Sequence, residues 1–302
     1  MRWVVRDGRL RTPWRVLLFV LLVVTILWIE VGVVALLGGA PPLEPALSVG
    51  LVVQSALLLA AALLAGHGML RWVDRRPGAG LGFGLRRRVP RELLAGLLAG
   101  GAPMVLAVAA LVLTGGYRYV TEAGTAGGWL AATSLSLAVL AIPAAAEEAL
   151  FRGYAFRTLV EGAGPVVAIG VTSLVFAWVH GANPGVGPWA LVNIFLAGVL
   201  LAVAVLRTGS LWFATAVHLG WNWVMAGPLD LPVSGLEGLD VPLYDVAVPG
   251  PPWLTGGEFG PEGGLVGTVA AAVGLGLVVW MTRPGAALAG ALNGRDDRVR
   301  DR

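Results

Sequence analysis

From residue 16 to residue 282 the chain is a succession of apolar runs, most of them long enough to cross a lipid bilayer. A spanning helix needs about 20 mostly apolar residues. Read at that length, the sequence predicts eight helices, over residues 16–37, 46–70, 93–115, 129–159, 166–180, 189–206, 210–225 and 265–282. Composition agrees: 57% of the 302 residues are hydrophobic, 13% are charged and the mean hydropathy is +0.80. Soluble domains carry about 25% charged residues. The expected fold is all-α, a polytopic transmembrane helical bundle of about eight spans in a multi-pass membrane protein, with the lipid bilayer as its main solvent. The first run is longer than the apolar core of a signal peptide, about 7–15 residues, and no small-x-small cleavage site follows it. It is read as a span.

All 21 basic residues are Arg, and they alternate in position with the runs. With the N-terminus placed in the cytoplasm, the inner segments hold the five arginines up to Arg15, then Arg71, Arg75, Arg76, Arg86, Arg87, Arg88 and Arg91. They also hold Arg152, Arg157, Arg207, Arg283 and the Arg-rich tail. Only Arg118 falls outside. The positive-inside rule therefore puts both termini in the cytoplasm, with an eight-span parity. No basic stripe forms on a folded face, so a nucleic-acid partner is not expected. Residues 1–15 read as a basic cytoplasmic segment, residues 16–128 as the first three helices, and residues 283–302 as a disordered cytoplasmic tail. One outer loop, 226–264, is long, acidic and free of basic residues. It reads either as an exposed ordered loop or as a cover over the bundle mouth.

Cysteine is absent. Thiol nucleophiles, disulfides and cysteine metal sites are excluded.

Charged and polar groups inside a membrane cost at least about 2.5–3.5 kcal/mol per central Asp, Lys or Arg, so they are functional candidates. Here they are Glu30, Gln54, His67, Glu147, Glu148, Arg152, His180, His218 and Asn222. Glu147 and Glu148 are adjacent on a helix and point about 100° apart. Glu148 and Arg152, at i, i+4, can pair and leave Glu147 free. A structural Glu–Arg pair is the bland alternative. Pro143, four residues earlier, is expected to kink or open the helix. A hairpin between the fourth and fifth spans places Glu147 about 20 Å before the turn and His180 about 24 Å after it, at similar depth. His180 at a helix C-terminus can also be read as a dipole contact. His218 and Asn222 share one face and can both donate to a single oxygen, as an oxyanion requires. Interhelical hydrogen bonding is the alternative. Glu30 lacks a local partner, Gln54 reads as a cross-helix bond, and His67 can reach the interface.

Three segments, Glu147-Glu148-xxx-Arg152, Phe176-xxx-His180 and His218-xxx-Asn222, resemble in order and spacing the CPBP family of intramembrane proteases. This family includes type II CAAX prenyl endopeptidases and lysostaphin-resistance-type bacterial proteins. The resemblance covers roughly residues 129–282, and the stretch 253–264, WLTGGEFGPEGG, is similar to a loop in many bacterial members. It implies that Glu147 and His180 bind and activate water, and that His218 and Asn222 stabilise the oxyanion. Glu148, Arg152 and Phe176 would support them.

The expectation is an intramembrane endopeptidase of a prokaryotic cell membrane, hydrolysing a membrane-associated peptide or protein. Its wet funnel would lie between the fourth, fifth and seventh spans and open toward the arginine-lined cytoplasmic side. That face would favour an anionic or C-terminal carboxylate end. Glu147, His180 and His218 can also be read as a His₂Glu zinc set, although HExxH is absent; a metal-free site would use the same residues. Two other readings are a catalytically silent membrane adaptor or bacteriocin-immunity-type protein, and a proton-coupled transporter, which would need titratable groups at several depths.

Overall fold

The computed structural model describes residues 4–6, 9–37, 48–76, 81–237 and 240–282. The tail expected to be disordered, with Arg283, lies outside the described residues. After a short ribbon, β1 (Val5–Arg6) and β2 (Arg9–Leu10), come α1 (Thr12–Leu36), α2 (Val49–Gly68) with a π-turn to Val73, and α3 (Val89–Leu113). Strand β3 (Arg118–Thr121) precedes α4 (Ala126–Glu148), a π-turn Ala149–Gly153, α5 (Tyr154–Ala163), α6 (Pro165–Val179), α7 (Pro188–Thr208) and α8 (Leu211–Ala226). The chain closes with β4 (Tyr244–Ala247), α9 (Pro252–Thr255) and α10 (Leu265–Met281). It is a helical membrane bundle.

Six helical segments are long and apolar enough to span: Thr12–Leu36, Val49–Val73, Val89–Leu113, Ala126–Ala163, Pro165–Ala182 and Pro188–Thr208. The last two expected spans are shorter. Helix α10 has 17 residues and α8 has 16. Helix α8 is largely buried by protein rather than lipid. Its backbone polar groups are satisfied internally, so it does not need the full bilayer thickness.

Small residues let α8 sit at the centre. Gly96, Gly100 and Gly101 on α3 meet Ala216, Val217 and Gly220 on α8, and a Cβ at Gly100 would collide with the Val217 carbonyl. Gly220 reciprocates against the Leu97 backbone. Between helices already in lipid, close backbone approach supplies the van der Waals contact that a hydrophobic driving force cannot.

Helix α4 carries a feature that hydropathy does not announce. Pro143 sits inside it without ending the helical run. The irregularity falls after Glu148, at the π-turn, where Gly153 has ψ −116°. Pro143 lacks one N–H, which the helix tolerates here, whereas the π-turn re-aims the side chains of the segment that carries Arg152. π-turns of this kind are frequent at functional sites.

The long loop is ordered. Strand β4 pairs antiparallel with β3, Arg118 opposite Ala247 and Thr121 opposite Tyr244. Tyr117 donates to the Thr255 carbonyl at 2.6 Å and Tyr119 to the Leu229 carbonyl at 3.0 Å. Gly256 (φ +91°) and Gly260 (φ +86°) take left-handed conformations, and a Cβ on Gly260 would strike the Pro232 carbonyl. The glycines of the GGEFGPEGG stretch thus serve a tight fold of the loop onto itself.

The bundle has two chemically distinct ends. At one, Arg15 pairs with Asp74 at 2.6 Å, Arg76 with Glu161 at 2.5 Å, Arg157 donates to the Gly209 carbonyl and Arg88 to the Thr208 carbonyl. These contacts gather the start of α1, the end of α2, the α5–α6 turn and the α7–α8 turn. At the other end lie the β3–β4 ribbon and the long loop.

Candidate active site

Glu147 and Glu148 diverge as adjacent helix positions must. Glu148 turns into the protein and is fully buried, as is Arg152. Arg152 Nη1 donates to Glu148 Oε1 at 3.1 Å, as the i, i+4 spacing suggests. The same Oε1 accepts from His218 Nδ1 at 3.1 Å, reaching from α4 to α8. Arg152 Nη2 reaches the Gly198 carbonyl of α7 at 3.3 Å, and its guanidinium lies 4.4 Å from the Phe176 ring centroid on α6. One buried pair therefore ties together four helices. Desolvating two charges is expensive unless each finds further partners, and these contacts provide them.

Glu147 turns the other way, into a cavity of about 230 Å³. Its Oε2 lies 4.0 Å from His180 Nε2 and 3.8 Å from His218 Nε2. It has no hydrogen-bond partner among the described residues. His180 caps α6, and its Nδ1–H donates to the Phe176 carbonyl at 2.8 Å, so Nε2 is the nitrogen aimed at Glu147. The Phe176 ring packs 4.5 Å from that of His180. Both imidazoles are thus held by their far nitrogens, which fixes the tautomer and the direction of the near ones. Asn222 lines the same cavity, one turn beyond His218.

The structure thus brings Glu147, His180, His218 and Asn222 to one cavity, with Glu148, Arg152 and Phe176 behind them. Glu30, on α1, and His67, which is exposed on α2, do not join it. Gln54 lies on α2 and does not line it either.

The Glu148–Arg152 pair is fully buried, and Phe156, Leu206 and Leu211 are buried as well. The cavity lining runs from Val217 and Leu200 past Glu147 to Asn183, Ser234, Leu236 and Glu262 in the loops. No Arg is among its lining residues.

Glu262 escaped the sequence reading. Its carboxylate is buried, accepting from Trp221 Nε1 at 2.9 Å through Oε1 and from the Ser234 N–H and hydroxyl, both at 2.7 Å, through Oε2. Asn193 on α7 donates to the Glu262 and Gly264 carbonyls at 2.8 and 2.7 Å, and Asn183 to the Ser234 carbonyl at 2.8 Å. The long loop is thereby fastened over the cavity at Trp221, next to Asn222. In sequence Glu262 looked like any other acid of an acidic loop. Its neighbouring glycines and the resemblance of the stretch 253–264 to a family loop were signs of a constrained segment, but neither singled out the acid.

A zinc set needs three protein donors converging on one point at about 2.0–2.2 Å. Among the described residues no group of three His, Asp or Glu side chains meets that arrangement. The chemistry below is routed through no metal.

Residues 128–224 match the family described as type II CAAX prenyl endopeptidase Rce1-like. The match includes Glu147, His180, His218 and Asn222, and it stops short of the long loop and α10. No curated protein and no solved structure matches the chain. The family match agrees with the CPBP resemblance and supports a protease of the intramembrane endopeptidase type, acting on a membrane-associated protein.

Proposed function

We propose, for a chain whose segment 128–224 is Rce1-like, that Glu147 and His180 activate a water that hydrolyses a peptide bond within the bilayer. The observation that carries this reading is the orphaned Glu147 Oε2, facing two imidazole nitrogens within 4.0 Å in a cavity. Catalytic hydrogen bonds are often long before substrate is bound.

The steps follow from the groups. Water donates one hydrogen bond to Glu147 and a second to His180 Nε2. Glu147 takes a proton as the oxygen attacks the carbonyl carbon, and the carbonyl π electrons move to its oxygen. That oxyanion lies on the α8 face, where Asn222 Nδ2 and a protonated His218 Nε2 can both donate to it. Donors of this kind are worth about 2.7–4 kcal/mol each. The protonated Glu147 then delivers its proton to the leaving nitrogen as the oxyanion collapses and the C–N bond breaks, giving a carboxylic acid and an amine. Glu148 never touches substrate. It accepts from His218 Nδ1 and orients the ring, while Arg152 balances its charge.

The test is a comparison of peptide termini in membranes carrying wild type or Glu147→Gln. Termini present only with wild type identify substrates. An unchanged set of termini, with both proteins equally abundant, removes the peptidase reading and leaves the adaptor.

A further inference from the structure

We propose that Arg86 and Arg157 form a seat for the phosphate of an anionic lipid headgroup. The seat lies at the arginine-rich end of the bundle, and neither residue lines the Glu147 cavity.

Three elements meet there at Gly82. The Gly82 carbonyl accepts from the Leu211 N–H, at the start of α8, at 3.0 Å. With φ +106° and no Cβ, Gly82 lets the Arg157 guanidinium of α5 lie against it; a Cβ would stand 2.6 Å from Nη2. The next residue, Phe83, packs edge-on against Trp212 of α8, with ring centroids 5.0 Å apart. At this junction two buried donors, Arg157 Nε and Trp212 Nε1, have no acceptor among the described residues. Arg157 makes one hydrogen bond, from Nη2 to the Gly209 carbonyl at 3.1 Å. A buried donor left unpaired is costly, so the junction lacks an acceptor that the chain itself does not bring.

The charges point the same way. The nearby carboxylates are already engaged. Asp74 pairs with Arg15 at 2.6 Å, Glu161 with Arg76 at 2.5 Å and with Arg15 at 3.6 Å, and Glu92 with Arg88 at 2.5 Å. The strongest charged neighbour of Arg157 is Arg86, which repels it, ahead of Glu161. Arg86 is exposed and forms no ion pair among the described residues. Two guanidinium groups without an acid between them repel each other. An oxyanion placed there reverses the sign, and the planar fork of arginine matches phosphate oxygens.

The surroundings select the source of that phosphate. The spans Val49–Val73 and Val89–Leu113 flank the connection that carries Arg86, so it lies at the membrane surface. Leu85 is 86% exposed and Trp72 77%, beside the exposed Arg71, Arg86 and Arg87. Exposed apolar side chains interleaved with arginines suit a segment lying in the headgroup layer. A free phosphate gains only from the arginines. A lipid gains from the arginines and from Leu85 and Trp72 together.

Native mass spectrometry of the purified full chain, titrated with phosphatidylglycerol or phosphatidylcholine, provides the test. Phosphatidylglycerol is expected to bind more tightly, and Arg86→Gln to weaken it about five-fold, the contribution of one arginine at an anionic surface. Arg87→Gln removes the same charge one residue on and should weaken it far less. Gly82→Ala keeps every charge but drives a Cβ into Arg157, and it should weaken binding as Arg86→Gln does. Equal losses with Arg86→Gln and Arg87→Gln, or equal affinities for the two lipids, overturn the proposal. Inorganic phosphate that displaces phosphatidylglycerol at equal concentration also overturns it, because the seat would then be one for the free ion.

Discussion

Glu148 and His218 stand 70 residues apart in the chain and meet at 3.1 Å through Oε1 and Nδ1, inside a fully buried pair with Arg152. This contact divides the two adjacent glutamates into different duties. Glu147→Gln removes a group facing a cavity, and the variant is expected to lose turnover while its melting temperature in detergent stays within about 2 °C of wild type. Glu148→Gln leaves a buried guanidinium without its counter-charge, a loss of about 3–5 kcal/mol. Thermal unfolding of both variants checks the division. A destabilised Glu147→Gln beside a stable Glu148→Gln would reverse the assigned roles.

Asn222 lines the cavity one turn from His218, on the face where an oxyanion would form. Asn222→Ala is expected to lower kcat by about 10²–10³ with little change in KM, because the donor acts mainly in the transition state. Steady-state kinetics on a reconstituted substrate decide it. An effect confined to KM would make Asn222 a binding contact instead.

With the water held by Glu147 and His180 themselves, strong chelation of the purified protein is expected to leave its activity and its melting temperature unchanged. X-ray absorption at the zinc edge on the same active sample should give no stoichiometric signal. Loss of activity restored by added zinc would instead place Glu147, His180 and His218 on a metal.

How much of this was legible beforehand follows the physics of each residue. Membrane spans are written in long apolar runs, so α1 to α7 could be read from hydropathy. The burial of α8 within protein could not, because it depends on Gly100 and Gly220 letting α3 close around it. Glu147, His180, His218 and Asn222 stood out because polar groups in lipid are costly and rare. The Glu148–Arg152 pair was visible at i, i+4, but its hold on His218 required knowing which helices pack together. The π-turn after Glu148 was not legible, since no single residue type announces one. Glu262 was hidden for the opposite reason: in a loop of many acids its charge carried no information until its burial against Trp221 was known.

Glu262 offers a test of the loop's part in catalysis. Its side chain joins Trp221 to Ser234, so Glu262→Ala leaves the indole N–H and the Ser234 N–H unpaired, each costing about 1–3 kcal/mol. The loop should loosen over Asn222. Protease nicking between residues 232 and 264 is expected to rise, together with KM. Glu262→Gln, which keeps an acceptor at one of the two oxygen positions, should restore part of the protection. Equal nicking of wild type and Glu262→Ala would show the loop to be held elsewhere, for instance by Tyr117 and Asn193.

Asp230 provides a pH signature outside the membrane spans. It follows α8 with φ +51°, and burial pushes its carboxyl up from 3.8 to about 6. The neighbouring carboxylates of Asp245, Asp240 and Glu122 act in the same direction, against a hydrogen bond from the Val241 N–H. A carboxyl whose folded pKa exceeds its unfolded value favours the fold while protonated. That advantage is lost as pH rises from about 3.8 through about 6. Above pH 6 the ionised group carries its full cost. Asn keeps the acceptor for Val241, tolerates the left-handed backbone and stays neutral. Asp230→Asn is therefore expected to melt higher than wild type at pH 7.5, by ~1–3 °C for a half-exposed, screened site. The difference should shrink toward zero as the pH approaches 4. Melting curves of both proteins in the same detergent across that range check the sign, and a gap that widens on acidification would show that Asp230 is held as a carboxylate.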